Sequence, residues 1–215
     1  MELTNIGTVY GTLLNFKNEY YALSDKMDND PYKAPPKAPV LYIKPRNTFS
    51  HTGEEIIKPG NEDLMMGGSI GIVFGRAASR VKADKALDYV RGYVVVNDVT
   101  IAHDNFYRPA YPKRARDGFL PIGDYVDADK ISDINNLTIE VSVNDITKHT
   151  SSTSDLMRTV ETLIADVSVF MTLQPNDMLL VGVDADMPSV KVGDVVRVSV
   201  NSIGHVENTI GGGIK

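Results

Sequence analysis

Short apolar runs, separated by turn residues, dominate the hydrophobic pattern of this chain. Residues 137–144 alternate apolar and polar side chains, which predicts a strand with one buried face. Residues 93–99 are almost continuously apolar, which predicts a strand that is buried on both faces. Further short apolar runs predict strands at 6–14, 40–43, 69–74, 178–183 and 195–200.

Two segments have the period of a helix. Residues 82–89 and 154–170 place apolar side chains three or four positions apart, and Ser154 can cap the second segment. Strands outnumber helices, and no regular alternation of strand and helix is present. The pattern therefore predicts an α+β fold that is mostly β.

The same pattern divides the chain into three parts. Residues 1–39 hold the first strand, a lid-like segment at 15–26 and a proline-rich connector. Residues 40–210 form the main domain, and residues 211–215 are predicted to be a flexible tail. Inside the main domain, residues 100–119 have no clean period and are interpreted as a long loop. Loops of that length in a compact domain often carry function.

Composition and charge exclude several classes of protein. The formal net charge is −6, so a broad basic surface for nucleic acid is absent. No cysteine is present, which excludes disulfides, thiolate catalysis and zinc sites built on sulfur. No apolar run reaches the roughly 18–20 residues that span a bilayer, and no secretory signal is visible. We therefore expect a cytoplasmic protein that binds neither nucleic acid nor a membrane.

Basic residues cluster between positions 108 and 116. A cluster of this size suits a small anionic ligand better than a duplex. Arg108 and Arg116 are candidates for binding substrate carboxylates, because a guanidinium pairs with two oxygens at once. Structural ion pairs are the alternative role for both. Lys44, at the end of a predicted strand, is a third substrate-binding candidate, or else a structural residue at the rim of the pocket.

Several runs, such as Lys-Pro-Arg-Asn-Thr at 44–48, follow one another in the order known from one enzyme superfamily. The others are at 31–37, 97–99, 106–110, 116–119, 171–177 and 192–196. Together they resemble the fumarylacetoacetate hydrolase superfamily, and within it the N-terminal repeat of the bifunctional isomerase/decarboxylases of 4-hydroxyphenylacetate (homoprotocatechuate) degradation. The resemblance implies a β-roll of mixed sheets with a few peripheral helices, and a small di- or tricarboxylate as substrate.

The resemblance also implies a divalent cation, because catalytic members of the superfamily bind Mg²⁺ or Mn²⁺ through three carboxylates. Their paired glutamates match Gly67 and Ser69, and their aspartate matches Asp98. One carboxylate is a poor ligand set for a hard cation, so we expect little or no metal binding at Asp98. Two alternatives stay open: Asp98 caps a turn, or His103 and Asp104 join it to rebuild a metal site.

Other positions also depart from the catalytic members. The histidine and glutamate of their lid match Glu19 and Ala22, and their pocket lysine matches Arg114, with Lys113 one position away. A turn that presents hydroxyl groups to substrate has become Val-Gly-Val-Asp at 181–184. Arg114 and Lys113 are the remaining catalytic candidates, and no catalytic residue is assigned.

Three hypotheses follow. The first is a subunit of 4-hydroxyphenylacetate catabolism, of the 5-oxopent-3-ene-1,2,5-tricarboxylate decarboxylase / 2-hydroxyhepta-2,4-diene-1,7-dioate isomerase type. It has a degenerate metal site and forms a homodimer, or a heteromer with a homologue that keeps the carboxylate triad. The second is a metal-dependent decarboxylase or isomerase of the same pathway, active on its own through an altered site built from Asp98, Arg108, Arg114 and Arg116. The third is a diverged ligand-binding module.

Overall fold

The computed structural model describes residues 2–103 and 110–213. The described residues form fifteen strands: β1 Val9–Leu13, β2 Val40–Lys44, β3 Phe49–His51, β4 Ile56–Lys58, β5 Leu64–Met65, β6 Gly68–Phe74, β7 Val90–Asn97, β8 Thr100–Ile101, β9 Leu120–Asp127, β10 Thr138–Val143, β11 Ile146–Ser152, β12 Met178–Leu180, β13 Ser189–Val190, β14 Val195–Val200 and β15 Gly204–Gly212.

Helices are short and few in the described part of the chain. The α-helices are α1 Lys17–Ala22, α2 Ser24–Met27, α3 Tyr111–Arg114 and α4 Val160–Ser168. Single 3-10 helices span Leu3–Asn5, Arg46–Thr48, Ala83–Tyr89, Ala128–Lys130 and Thr153–Asp155. No helix of the described residues is both long and apolar enough to cross a membrane.

The strands form three sheets. The largest has the order β2-β1-β12-β6-β7-β9-β3, the second β11-β10-β14-β15-β4, and the third β13-β5-β8. Among the strand pairs of the described residues, β1 with β12, β3 with β9 and β4 with β15 are parallel, and the others are antiparallel. The predicted mostly-β α+β fold of mixed sheets with a few helices is confirmed.

The core lies between the two larger sheets, with β6 at its centre. All seven residues of β6 are buried. A Cβ at Gly68 would lie 2.8 Å from Val141, 3.0 Å from Ile139 and 3.1 Å from Val198, which belong to the second sheet. A side chain at this position would therefore push the sheets apart. Gly68 also pairs with Asn97, which places the start of β6 beside the end of β7, next to the candidate site.

The helix predicted over 154–170 begins later than expected. The backbone N–H of Met157 donates to the carbonyl of Asn15 at 2.7 Å, and that of Arg158 donates to the Asn15 side chain at 3.1 Å. These N–H groups are therefore not available for helical bonds, and α4 begins only after Thr159, which caps it. The predicted start at 154 is wrong because a distant residue takes the N–H groups.

Other predicted elements also differ from those in the structure. β15 continues to Gly212, because Gly211 and Gly212 pair with β4, so the predicted tail begins too early. The long loop predicted at 100–119 contains β8 and α3, and the helix predicted at 82–89 is a 3-10 helix. β1, in the predicted N-terminal part, belongs to the same sheet as β2 and β12.

Candidate functional site

A cavity of about 290 Å³ lies between α1, the residues after β8, α3 and the turn at 184–187. Its main polar side chains are those of Glu19, His103, Arg114 and Asp184. The other lining residues are Ala22, Leu23, Met65, Thr100, Ala102, Ala185, Asp186 and Met187. One guanidinium and several carboxyl groups therefore share a small cavity, which makes it the candidate site. A neighbouring cavity of about 230 Å³ is lined mainly by apolar side chains and offers no comparable chemistry.

Asp98 adjoins this cavity through Arg114 and is completely buried at the end of β7. Its Oδ1 lies 2.7 Å from Nζ of Lys44, and its Oδ2 lies 3.4 Å from Nη1 of Arg114. The Tyr42 hydroxyl donates a hydrogen bond to the same Oδ2. The Arg114 guanidinium also stacks 4.7 Å from the centre of the Tyr42 ring. Tyr42 and Lys44 are alternate residues of β2, so their side chains leave the same face of the strand.

Opposite charges keep Asp98 ionised in this buried position. Burial opposes its ionisation, but the positive charges of Lys44 and Arg114 and the hydrogen bond from Tyr42 outweigh burial and lower the pKa of Asp98. Burial lowers the pKa of Lys44 to about 8, against the attraction of Asp98, so its ammonium stays protonated at neutral pH. Two cations thus face one carboxylate, and the cluster has a net positive charge.

The divalent cation implied by the resemblance does not fit this arrangement. A Cβ at Gly67 would lie 2.6 Å from the Asp98 carbonyl oxygen and 3.0 Å from both Val183 methyls, so a glutamate has no room there. Ser69 is fully buried, and its hydroxyl donates to the Gly182 carbonyl at 2.6 Å. Within the described residues, no group of three or more His, Cys, Asp or Glu side chains is placed to hold a metal ion. A single, already neutralised carboxylate does not meet the needs of Mg²⁺ or Mn²⁺.

Glu19 is a neutral acid in this cavity at neutral pH. Burial raises its pKa to about 8, although the hydrogen bond from the Leu14 N–H and the charge of Arg114 act in the opposite direction. That N–H lies 2.7 Å from Oε2 of Glu19. The negative charges of Asp184 and Asp98 raise the pKa further. A protonated carboxyl group can donate a hydrogen bond to an anionic ligand.

Asp184 supplies a fixed negative charge to the cavity. Its Oδ2 lies 3.4 Å from Nε2 of His149 and accepts from the Asn18 amide at 3.2 Å, while its Oδ1 accepts from the Ala185 N–H at 2.9 Å. Burial opposes ionisation of Asp184, but these hydrogen bonds outweigh it and lower its pKa. The residue is only 4% exposed, so its position is well defined by these partners.

The structure brings only part of the predicted site together. Arg114 lines the cavity, whereas Lys44 lies behind it with no exposed side-chain surface, so direct contact of Lys44 with a ligand is not supported. Lys113 and Arg116 instead both pair with Glu62, the latter at 3.3 Å. For Arg116 this is the ion-pair alternative noted from the sequence.

Two predicted residues fall outside the described part of the chain. Neither Arg108 nor Asp104 is among the described residues, so the roles proposed for them stay predictions. His103, the partner proposed for Asp104, lines the cavity.

Two contacts of the site were not predicted from the sequence. Tyr42 could have been found, because it stands two residues before Lys44 on a predicted strand and therefore shares its face. The contact of His149 with Asp184 has no local sequence signal, since β11 and the turn at 184–187 meet only in the folded chain.

Comparison with known proteins supports the resemblance seen in the motifs. The family model described as Fumarylacetoacetate (FAA) hydrolase C-terminal matches residues 8–211. The 4-hydroxyphenylacetate degradation bifunctional isomerase/decarboxylase of Salmonella dublin is 35% identical over 204 residues, which cover 95% of this chain and 47% of that protein. A homologue from Escherichia coli with the same name is 36% identical over the same shares. The chain spans about half the length of these curated relatives.

Solved structures show the same fold. 2-Hydroxyhepta-2,4-diene-1,7-dioate isomerase from Mycobacterium marinum has a TM-score of 0.80 and 25% identity, and the match covers 98% of this chain and 76% of that one. Fumarylpyruvate hydrolase from Pseudomonas aeruginosa, solved in complex with Mn²⁺ and pyruvate, has a TM-score of 0.81 at 19% identity, with 97% and 91% covered. The chain belongs to the fumarylacetoacetate hydrolase family and is related to the isomerases and decarboxylases of aromatic catabolism.

Proposed function

We propose that this chain is a cytoplasmic subunit of 4-hydroxyphenylacetate (homoprotocatechuate) catabolism. It is of the 5-oxopent-3-ene-1,2,5-tricarboxylate decarboxylase / 2-hydroxyhepta-2,4-diene-1,7-dioate isomerase type. It binds a small di- or tricarboxylate without a divalent cation and works with a homologue that carries the full carboxylate triad. The observation that carries this proposal is the state of Asp98, which is neutralised by Lys44 and Arg114.

The ligand class follows from the free hydrogen-bonding capacity of Arg114. A guanidinium has five N–H donors. One of them reaches Asp98 at 3.4 Å, and the side chain also lines the cavity. A carboxylate in the cavity can therefore accept hydrogen bonds from Arg114, and the neutral Glu19 carboxyl can donate another. The negative charge of Asp184 orients the ligand by repelling carboxylates from that side of the cavity.

Pairing with a homologue is supported by the length of the relatives. This chain covers 47% of the Salmonella dublin bifunctional protein, which leaves room there for a second domain of similar size. A homologous domain with an intact triad, on this chain or on another, would complete the same pair of domains. In such a pair, this chain contributes the fold and the carboxylate-binding cavity, and its partner contributes the divalent cation and its Lewis-acid chemistry.

A second candidate function is metal-independent turnover by this chain alone. The observation that favours it is the position of Glu19, an acid with a pKa of about 8 in the same cavity as Arg114. A group with a pKa near the working pH can both give and take a proton. Arg114 would then stabilise the enolate that forms on tautomerisation or decarboxylation.

Turnover measurements separate these functions. The purified chain is assayed with 5-oxopent-3-ene-1,2,5-tricarboxylate, alone and mixed with the triad-carrying homologue, in Mg²⁺ and in excess EDTA. We expect no turnover by the chain alone under either condition, and co-elution with the homologue on a sizing column. Mg²⁺-dependent turnover by the chain alone would overturn the first proposal. Turnover in EDTA that is lost in both Arg114→Met and Glu19→Gln would establish the second.

A further inference from the structure

The ammonium of Lys44 lies in a closed site made of oxygen atoms. Its Nζ lies 2.7 Å from the Asp98 carboxylate, and it donates to the carbonyls of Val99 at 2.8 Å, Arg114 at 2.9 Å and Phe119 at 2.9 Å. The side chain has no exposed surface. One carboxylate and three carbonyls at these distances form the kind of oxygen shell that surrounds a bound cation, but here the cation is covalently part of β2.

The three carbonyls come from both ends and the interior of a single segment. Val99 precedes β8, Arg114 ends α3, and Phe119 precedes β9. Backbone hydrogen bonds also hold this part of the chain: the Val99 N–H donates to the Phe119 carbonyl at 3.2 Å, and the Gly118 N–H donates to the Asn47 carbonyl at 3.0 Å. The Arg114 N–H donates to the Ala110 carbonyl, within its own turn. The Lys44 ammonium therefore links β2 to the segment that supplies Arg114 to the cavity.

We propose that Lys44 is a positioning residue that acts as a built-in monovalent cation. It neutralises Asp98 and holds the backbone at Val99, Arg114 and Phe119 so that Arg114 faces the cavity. The structural part of this proposal stands on the contacts of Lys44 alone, and only its effect on ligand binding rests on the proposed function. A short side chain at position 44 would leave an oxygen-lined site that suits a small primary ammonium ion.

The test exploits the absence of cysteine from the chain. Lys44→Cys provides a single thiol, which is alkylated in urea and then refolded. 2-Bromoethylamine rebuilds a side chain with a terminal ammonium, whereas iodoacetamide gives a neutral side chain of similar length. Unmodified chain taken through the same steps is the reference, and Lys85→Cys, at an exposed position, is the matched control.

We expect the aminoethylated protein to regain the melting temperature of the reference. The neutral form should melt lower by roughly 6–20 °C, as expected when one partner of a buried charge pair is removed. The two alkylated forms of Lys85→Cys should melt alike. Equal melting temperatures for the two forms of Lys44→Cys would overturn the proposal.

A second measurement avoids refolding. Lys44→Ala is purified and melted with methylammonium or tetramethylammonium chloride at equal concentration. Only methylammonium is small enough to enter the vacated site, so it alone should raise the melting temperature of Lys44→Ala, and it should not do so for Lys85→Ala. An equal response to both salts would contradict a cation site.

Ligand binding separates this inference from the proposed function. Oxalate, a small dicarboxylate, is titrated by calorimetry into the reference protein and into both alkylated forms of Lys44→Cys. We expect the neutral form to bind at least tenfold more weakly and the aminoethylated form to recover the affinity. If oxalate does not bind even the reference protein, the proposed ligand class fails while the melting result still decides the role of Lys44. If it binds both forms equally, Lys44 does not position Arg114.

Discussion

Replacing Gly67 by alanine tests whether the backbone of Gly67 lies too close to Asp98 for any side chain. Gly67 matches one of the metal-binding glutamates of the catalytic relatives. The Asp98 N–H donates to the Gly67 carbonyl at 2.7 Å, so the two backbones are tied together. A Cβ at Gly67 would lie 2.6 Å from the Asp98 carbonyl oxygen and 3.0 Å from both Val183 methyls. The Val183 methyls can shift, but the carbonyl oxygen belongs to a bonded backbone. Overpacking of this kind costs about 1–3 kcal/mol, and the rigid partner places Gly67→Ala in the upper half of that range.

Urea unfolding at neutral pH measures this cost. Gly212→Ala is the matched control, because the nearest atom to its Cβ would be a Val192 methyl at 3.6 Å, which is an ordinary contact. We expect the control to lie within about 0.5 kcal/mol of the unmodified protein. If Gly67→Ala and the control have the same free energy of unfolding, the backbone at Gly67 does have room for a side chain. The lack of space would then not explain why a glutamate is absent there.

Three further predictions concern the charged groups of the site. Asp98→Asn leaves Lys44 and Arg114 buried without their carboxylate, and should lower the free energy of unfolding by about 3–5 kcal/mol, measured in urea. Glu19 has a folded pKa of about 8 against 4.5 as its ordinary value. Its contribution to stability is therefore present below the lower value and is lost as the pH rises through the higher one. The difference in unfolding free energy between the unmodified protein and Glu19→Gln should accordingly fall between about pH 5 and about pH 8.5, and a constant difference would contradict it. Arg114→Met should weaken oxalate binding at least tenfold in calorimetry, whereas Arg114→Lys should retain part of it; equal affinity in Arg114→Met would rule out the guanidinium as anchor.

The fold could be predicted well from the sequence, because the short apolar runs form strands and the motifs occur in the order typical of one superfamily. The buried run at 93–99 and the alternating run at 137–144 correspond to β7 and β10. Where the predictions failed, distant partners decided the structure. Asn15 takes the N–H groups that would have begun α4 earlier, and β4 extends β15 beyond residue 210. Neither partner is visible in a local window of sequence.

The sequence predicted which residues belong to the site, but not which atoms they contact. The motifs identified Asp98, Lys44 and Arg114, but left Lys44 as either a substrate-binding candidate or a structural residue at the rim of the pocket. Its ammonium is instead held by three carbonyls and a carboxylate, and no sequence pattern encodes where carbonyl groups converge. Similarly, Arg116 was a carboxylate-binding candidate, and its actual partner, Glu62, lies on a distant turn. The partners of such long side chains depend on the folded structure, and not on the spacing of residues along the sequence.

Metal binding by the purified chain tests the central claim most directly. Mn²⁺ is titrated by calorimetry into protein that has been freed of metal with EDTA, and fumarylpyruvate hydrolase from Pseudomonas aeruginosa, which was solved with Mn²⁺, serves as the positive control. The neutralised Asp98 predicts no saturable binding below the millimolar range. Binding of one equivalent at micromolar concentration, abolished in Asp98→Asn, would contradict the account.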